Sequence, residues 1–173
     1  MLRRLNAARL VKKGTCLTRK NVDSFIERIK DVIRKNGRCV IAVTGSPGSG
    51  KSVYADFFRK KGFFSFPKDS VSVIDDLRGN NDERYSRKEL SIGQDKNILL
   101  IFDYRAVLYY RGANFIVILD IGEKKRLENL KNRSMKSYKR YKGFYYRYPP
   151  MPFYVDSSRV YILKDDTVEL FKG

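Results

Sequence analysis

The chain has 173 residues, 42% of them apolar, which is enough for one domain with its own buried core. It contains no histidine, so a general base would have to be a carboxylate, and it has no apolar run of about 18 residues, which excludes a membrane-spanning helix. Lys and Arg outnumber Asp and Glu by 37 to 19, giving +18 at pH 7, and such a surplus indicates an anionic partner such as nucleic acid.

The positive charge is concentrated in two blocks. Residues 1–38 hold 12 basic and 3 acidic residues, and residues 124–148 hold 10 basic residues and 1 acidic residue. Residues 1–20 are predicted to form a basic arm, followed by a single domain over 21–173. A nucleic-acid-binding arm and a mitochondrial transit peptide both fit the composition of the arm.

Cysteine use indicates a reducing compartment. Cys16 and Cys39 have no metal-binding spacing, and Cys39 lies in an apolar strand pattern, so both are expected to be free thiols. The expected location is therefore the cytoplasm, with the mitochondrion as the alternative if the arm is a transit peptide.

Strand and helix patterns alternate along the chain. A helix is predicted from Asn21 to Lys35 with a stop at Asn36-Gly37, and another from Ser52 to Lys61 that ends at Gly62. Alternation of this kind predicts an α/β fold with a parallel sheet. A basic, aromatic segment at 136–154 fits neither pattern. The remaining predicted elements are strands at 38–44, 70–74, 97–102, 114–121 and 159–164 and helices at 104–112 and 122–134.

The stretch GSPGSGKS between a strand and a helix matches the pattern G-x-x-x-x-G-K-[ST] of a phosphate-binding loop. Glycines allow the backbone N–H groups to surround an anion, and the following helix N-terminus favours negative charge. Lys51 is predicted to reach the β- and γ-phosphates, and the Ser52 hydroxyl to ligate Mg²⁺. The predicted nucleotide-binding residues are Gly45, Ser46, Pro47, Gly48, Ser49, Gly50, Lys51, Ser52 and Val53.

The chain resembles the P-loop kinases of nucleosides, nucleotides and related acceptors, including uridine-kinase-like and phage-type polynucleotide 5′-kinases. The N-K-x-D guanine motif of regulatory GTPases is absent from the sequence, which favours ATP as the nucleotide. The resemblance implies a three-layer fold around a five-stranded parallel sheet of order 2-3-1-4-5, with ATP and Mg²⁺ as cofactors.

The sequence Asp75-Asp76-Leu77-Arg78 follows a predicted strand and matches the D-D-x-R pattern of polynucleotide 5′-kinases. The resemblance implies that Asp75 accepts the proton of the attacking hydroxyl and that Asp76 and Arg78 bind the substrate. Which of the two aspartates acts as the base stays open. An Asp pair that caps a following helix also fits these residues.

Asp103 ends the strand ILLIF at a position like that of the Walker B carboxylate, where it would hold Mg²⁺. A helix N-cap before YRAVLYY fits the same residue.

Residues 124–154 are predicted to form a lid-like segment. The resemblance implies that Arg126 and Arg133, seven residues apart on one helix face, stabilise charge on the transferred phosphoryl group. Lys136, Lys139 and Arg140 would extend the lid, and a solvated helix face is the alternative for each cation. The alternation of Tyr with Lys and Arg also fits single-stranded nucleic acid binding, although a Pro-rich loop that packs on the fold fits too.

These features predict a phosphotransferase that moves the γ-phosphate of Mg·ATP to a hydroxyl of a nucleoside, nucleotide or nucleic-acid 5′ end. Fewer than twenty residues separate Arg78 from Asn97, so an open acceptor pocket suited to a polymer end is expected. The alternative functions are a nucleic-acid-binding ATPase or switch module, and a P-loop protein with a purely structural role.

Overall fold

The structure is a computed structural model, and it describes residues 14–75, 95–103, 112–143 and 156–164. Several predictions fall outside these ranges. They concern most of the basic arm, Asp76 and Arg78, most of the helix at 104–112, and residues 144–154 of the lid-like segment.

Parallel strands form the centre of the molecule. Every strand pair in the sheet is parallel, as the alternating sequence pattern predicts. The strands are β1 (Thr15–Cys16), β2 (Cys39–Thr44), β3 (Val71–Asp75), β4 (Ile98–Phe102), β5 (Phe115–Asp120) and β6 (Val160–Lys164), and they lie in the order β1-β6-β5-β2-β4-β3.

Over the ranges that the structure describes, the sheet has six strands, so the prediction of five was wrong and the order of the whole sheet differs from the predicted one. The five predicted strands keep their relative order, and β1 adds a strand at the edge beyond β6. Thr15 is in register with Tyr161, and the residue after β1, Leu17, is buried. A two-residue strand is too short to produce a recognisable alternation, which is why the pattern missed it.

The described residues include four α-helices: α1 (Val22–Asn36), α2 (Lys51–Lys61), α3 (Glu123–Arg133) and α4 (Met135–Tyr141). The first two agree with prediction to within one residue at each end. Gly37 ends α1 in a left-handed conformation, and its N–H donates to Ile33 O at 2.7 Å. The last predicted helix, 122–134, corresponds to α3.

Helix α4 corrects the prediction that no helix forms over 136–154. The chain is extended at Ser134, which separates α3 from α4, and the Ser134 hydroxyl accepts a hydrogen bond from the Ser137 N–H at 3.0 Å. A seven-residue helix rich in Tyr and Lys has no apolar stripe of helical period, so the hydrophobic pattern could not indicate it.

The core lies between one face of the sheet and helices α1 and α2. Phe25 and Ile29 of α1 and Phe58 of α2 are almost fully buried there. The ring of Phe25 packs edge-on against Phe115 of β5, with centroids 5.5 Å apart. Residues of β2 that face the opposite side, such as Ala42, are buried as well. A parallel sheet that is covered on both faces explains why β2, β4 and β5 are almost continuously apolar.

The carboxyl ends of the parallel strands meet at one edge of the sheet. Thr44, Asp75 and Asp120 end their strands there. In open α/β sheets, ligands bind outside this edge, so it is the place to look for a functional site. No helix among the described residues is long and apolar enough to cross a membrane.

Cys39 provides a test of the buried sheet. Burial raises the pKa of its thiol from 9.0 to about 12, so the folded protein keeps the thiol proton over a pH range in which the unfolded chain loses it. The stabilisation from this group is complete below about pH 9 and is lost as the pH rises toward 12. In a Cys16→Ser variant, a thiol reagent at pH 8 should label Cys39 only after unfolding. Rapid labelling under native conditions would contradict this burial.

Candidate active site

The loop Gly45–Gly50 joins the end of β2 to the start of α2, in the context that the motif requires. Its first glycine allows a close approach, because a Cβ atom at Gly45 would lie 2.5 Å from Ser49 Oγ and 3.0 Å from Leu119 O. Gly48 has φ +91°, and a Cβ there would lie 2.8 Å from Arg126 O and 2.9 Å from Leu130 Cγ. The loop is therefore packed directly against α3, without room for a side chain.

Lys51 folds back over the loop. Its Nζ donates to Gly45 O at 2.8 Å and to Ser46 O at 3.2 Å. A phosphate chain bound in the loop would offer this ammonium group stronger, charged acceptors. The first helical hydrogen bond of α2 joins the Tyr54 N–H to Gly50 O at 3.1 Å. The N–H groups of residues 51–53 come before this bond, at the helix N-terminus, which is where helices bind anions.

Two carboxylates lie at neighbouring strand ends beside the loop. Asp75 is the last residue of β3 and is in register with Phe102, the last residue of β4. Asp103 follows directly, and its N–H donates to Val43 O at 3.2 Å, which fixes the backbone beside β2. The register of the sheet thus places both residues at the edge from which the loop emerges.

A cleft of about 600 Å³ brings most of the predicted site residues together. A space of this size is typical of small-molecule sites. Five residues with a predicted chemical role face it: Lys51, Ser52, Asp75, Asp103 and Arg133. The other described lining residues are Pro47, Gly48, Gly50, Val53, Phe102, Asn129, Asn132 and Tyr141.

The remaining loop residues occupy two different environments. Ser46 and Ser49 are buried beneath the loop, and the Ser49 hydroxyl has no hydrogen-bond partner among the described residues. Val53 is 73% exposed at the mouth of the cleft. Both serines border a small space behind the loop together with Arg126, so they lie on the side of the loop that faces α3 and not on the side of the cleft.

The carboxylates suit a metal ion that arrives with a nucleotide. Within the described part of the chain, no group of three or more Cys, Asp or Glu residues could hold a metal ion by itself. Mg²⁺ is commonly bound through one or two carboxylates together with substrate phosphates and water. Ser52 and Asp103, both in the cleft, provide side-chain oxygens that fit this role.

Arg126 does not line this cleft and is 4% exposed. Its guanidinium donates to both carboxylate oxygens of Glu123 at 2.7 Å and to Pro47 O at 3.1 Å. It also donates to Tyr141 O and Lys142 O, both at 3.2 Å. Arg126 and Arg133 share a face of α3, but seven residues separate them by about 10 Å along the helix axis, so only Arg133 reaches the cleft.

Three polar residues of the cleft were not predicted from the sequence: Asn129, Asn132 and Tyr141. Asn129 Nδ2 donates to Gly48 O at 2.9 Å, so α3 holds the loop through an uncharged side chain as well. A signal was present, since 129, 132 and 133 are spaced for one helix face. A search of the sequence for charged residues finds the basic residues of α3 but not its asparagines.

Exposed cations surround the α3–α4 side of the cleft. Six of them form what we call the α3–α4 basic surface: Lys124, Lys131, Lys136, Lys139, Arg140 and Lys142. The ring of Tyr138 lies between two of them, 5.0 Å from Lys131 Nζ and 5.9 Å from Lys142 Nζ. Arg133 and Tyr141, which line the cleft, belong to the same two helices as these cations.

The protein has an α/β fold with a parallel sheet, and its strand-loop-helix unit and the cleft beside it are consistent with a P-loop NTPase fold. No protein-family model matches the chain, and a search of curated proteins finds no match. Among solved structures, the chain is similar to the hydrogenase maturation factor HypB from Archaeoglobus fulgidus, with 15% sequence identity and a TM-score of 0.43. The alignment covers 84% of this chain and 90% of that chain. A likeness at this level supports no statement about family or activity.

The contact between the loop and α3 can be tested with two matched glycines. Gly48 and Gly37 both have positive φ, but a Cβ at Gly37 would meet nothing within 4 Å. Alanine at either position costs about 1–2 kcal/mol for the left-handed backbone. Gly48→Ala should lower the free energy of unfolding by a further 1–3 kcal/mol or so, because its Cβ overlaps α3. Urea denaturation would measure both effects, and equal destabilisation by the two variants would contradict the packing described.

Proposed function

We propose that this protein is a kinase that transfers the γ-phosphate of Mg·ATP to a hydroxyl group of a nucleoside, nucleotide or nucleic-acid 5′ end. The observation that carries the proposal is that Asp75 lies in the same cleft as Lys51 and Ser52. A P-loop that only binds nucleotide needs Lys51 and Ser52, but a transfer reaction also needs a group that steers the incoming hydroxyl.

Each side chain has a distinct role in the proposed reaction. The loop amides and Lys51 would hold the triphosphate, and Ser52 and Asp103 would hold Mg²⁺, which when bound would supply positive charge beside the phosphates. Asp75 orients the acceptor hydroxyl and takes its proton as the new O–P bond forms and the bond to the β-phosphate oxygen breaks. Arg133, which also lines the cleft, stabilises the charge that is spread over the transferred group.

Two features favour a nucleic-acid 5′ end among the possible acceptors. The α3–α4 basic surface lies on the two helices that contribute Arg133 and Tyr141 to the cleft, and a free mononucleotide does not require so many cations. A base could stack on the Tyr138 ring in place of one of the two lysines that lie over it, while the other cations follow the phosphates. ATP is the proposed phosphate donor, since the sequence lacks the N-K-x-D guanine motif.

A second candidate function is a nucleic-acid-binding ATPase whose grip on a strand depends on the bound nucleotide. One observation favours it: Arg126 contacts both the P-loop at Pro47 and the end of α4, which carries part of the basic surface. A change in the loop on hydrolysis would then alter the position of α4. Such a protein would release free phosphate and modify no acceptor.

Substitution of Asp75 separates the two candidates. Under the kinase proposal, Asp75→Asn should reduce transfer to an oligonucleotide 5′-hydroxyl by about 10²–10⁴-fold while Mg·ATP binding is retained, because general base catalysis is removed but the phosphate site is intact. Transfer would be measured with γ-labelled ATP, with GTP as an unlabelled competitor. Asp69→Asn is the matched control, since Asp69 is exposed and precedes β3 outside the cleft. If the unchanged protein releases the label only as free phosphate and modifies no acceptor, the kinase proposal is wrong and the ATPase is favoured.

Two double variants test the nucleic-acid surface. Lys139→Gln with Arg140→Gln should weaken binding of single-stranded DNA and make the slope of log K against log salt shallower by about 0.7 for each phosphate that is no longer neutralised. The control double variant, Lys60→Gln with Lys61→Gln, removes the same charge from exposed positions at the far end of α2. Fluorescence anisotropy over a range of salt concentrations would measure both. If the two double variants bind DNA alike, the α3–α4 basic surface is not the binding surface.

A further inference from the structure

We infer that Arg126 is a positioning residue, which holds the P-loop in the conformation that receives phosphate and ties the loop to the C-terminal end of α4. The resemblance to kinases had placed Arg126 among the groups that touch the transferred phosphoryl group. Its buried position behind the loop points to a different role. The inference rests on the nucleotide-binding part of the proposed function.

The charge of Arg126 is compensated locally. Both carboxylate oxygens of Glu123, one turn earlier on α3, accept hydrogen bonds from Nε and Nη2 at 2.7 Å. A two-point contact of this kind fixes the plane of the guanidinium as well as its position. Other N–H groups of the guanidinium donate to backbone carbonyls of the P-loop and of the end of α4. Glu123 therefore aims a rigid donor group at two separate segments of backbone.

The contact with Pro47 determines the direction of a loop amide. In a planar trans peptide the C=O and the following N–H point in opposite directions, and the described chain has no cis peptide bond. With Pro47 O bound to Arg126 at 3.1 Å, the Gly48 N–H is turned away from α3 and into the loop. Arg126 thus acts on a phosphate through a backbone N–H that it orients.

Asn129 holds the next carbonyl of the loop, while the N–H of that peptide, on Ser49, donates to Ser46 O at 3.0 Å. Its Nδ2 donates to Gly48 O, and Gly48 itself has no room for a Cβ against α3. Two consecutive carbonyls of the P-loop are therefore held by side chains one turn apart on a single helix. The back of the loop cannot rotate unless these bonds break, and such preorganisation is what a phosphate-binding site requires.

The other end of the contact lies on α4. Arg126 donates to the carbonyls of Tyr141 and Lys142, the last groups of a seven-residue helix. A helix this short is marginal on its own, and a cation at its C-terminus stabilises it. The order of α4 and the conformation of the P-loop consequently depend on one guanidinium group. Binding of nucleotide in the loop should therefore stabilise α4, and the coupling must be reciprocal.

Hydrogen exchange combined with nucleotide titration tests this inference. In Arg126→Gln without nucleotide, the amides of Tyr138 and Lys142 should exchange about tenfold faster than in the unchanged protein, because local opening of α4 becomes easier. The Kd for Mg·ATP should rise by about tenfold as well, since the loop is no longer held. Lys60→Gln, which removes an exposed positive charge at the far end of α2 and outside the cleft, is the control and should change neither quantity.

Two further variants keep the test decisive. Arg126→Lys retains the positive charge but loses the planar guanidinium with its several N–H donors. This variant should fold, but its α4 exchange rate and its Kd for Mg·ATP should both stay above those of the unchanged protein. Asn129→Ala removes a hold on the loop only, so it should raise the Kd and leave the exchange of α4 unchanged. If Arg126→Lys matches the unchanged protein in both readouts, or if α4 loosens while the Kd stays constant, the inference is wrong. If the unchanged protein does not bind Mg·ATP, the proposed function is wrong. The hydrogen exchange of α4 in the Arg126 variants would then still show whether Arg126 stabilises α4.

Discussion

The arrangement of the P-loop backbone is the constraint on which the rest of the structure depends. The loop is fixed at the end of β2, its carbonyls at Pro47 and Gly48 are bound by side chains of α3, and Lys51 bonds two more carbonyls from within. With the Pro47 carbonyl bound in this way, the Gly48 N–H is left to face an anion, whereas the Ser49 N–H donates to Ser46 O at 3.0 Å and closes the turn. A glycine at position 48 is required because α3 approaches too closely for any side chain.

The parallel sheet converts this local arrangement into a possible active site. Because β3 and β4 end in register, backbone pairing brings Asp75 and Asp103 to the loop. Backbone pairing fixes this register, and a shift by one residue would move the large and small side chains packed on the two buried faces into spaces of the wrong size. Helix α3 completes the wall with Arg133, and the basic residues of α3 and α4 extend the positive surface beyond the cleft.

Local features of the sequence were sufficient to predict the strand-loop-helix unit and the strands that end at Asp75 and Asp103. The sequence pattern could not predict how deeply tertiary packing buries an individual side chain. The seven-residue spacing of Arg126 and Arg133 indicates a shared helix face, but it does not tell which residue is buried behind the loop and which reaches the cleft. Strand β1 was missed because two residues are too few to show an alternation of apolar and polar side chains. Asn129 was missed because the role of an uncharged amide becomes visible only when the carbonyl that it contacts, Gly48 O, is known.

The central claim is that the backbone amides of the loop form the phosphate site, and NMR spectroscopy tests it most directly. Amide chemical shifts would be followed in the ¹⁵N-labelled protein while Mg·ATP, and separately Mg²⁺ with tripolyphosphate, is added. We expect both ligands to cause their largest shifts at the amides of residues 48–52, with smaller shifts at Asp75 and Asp103. Amides 48–52 that do not respond to either ligand, while the protein remains folded, would contradict the account.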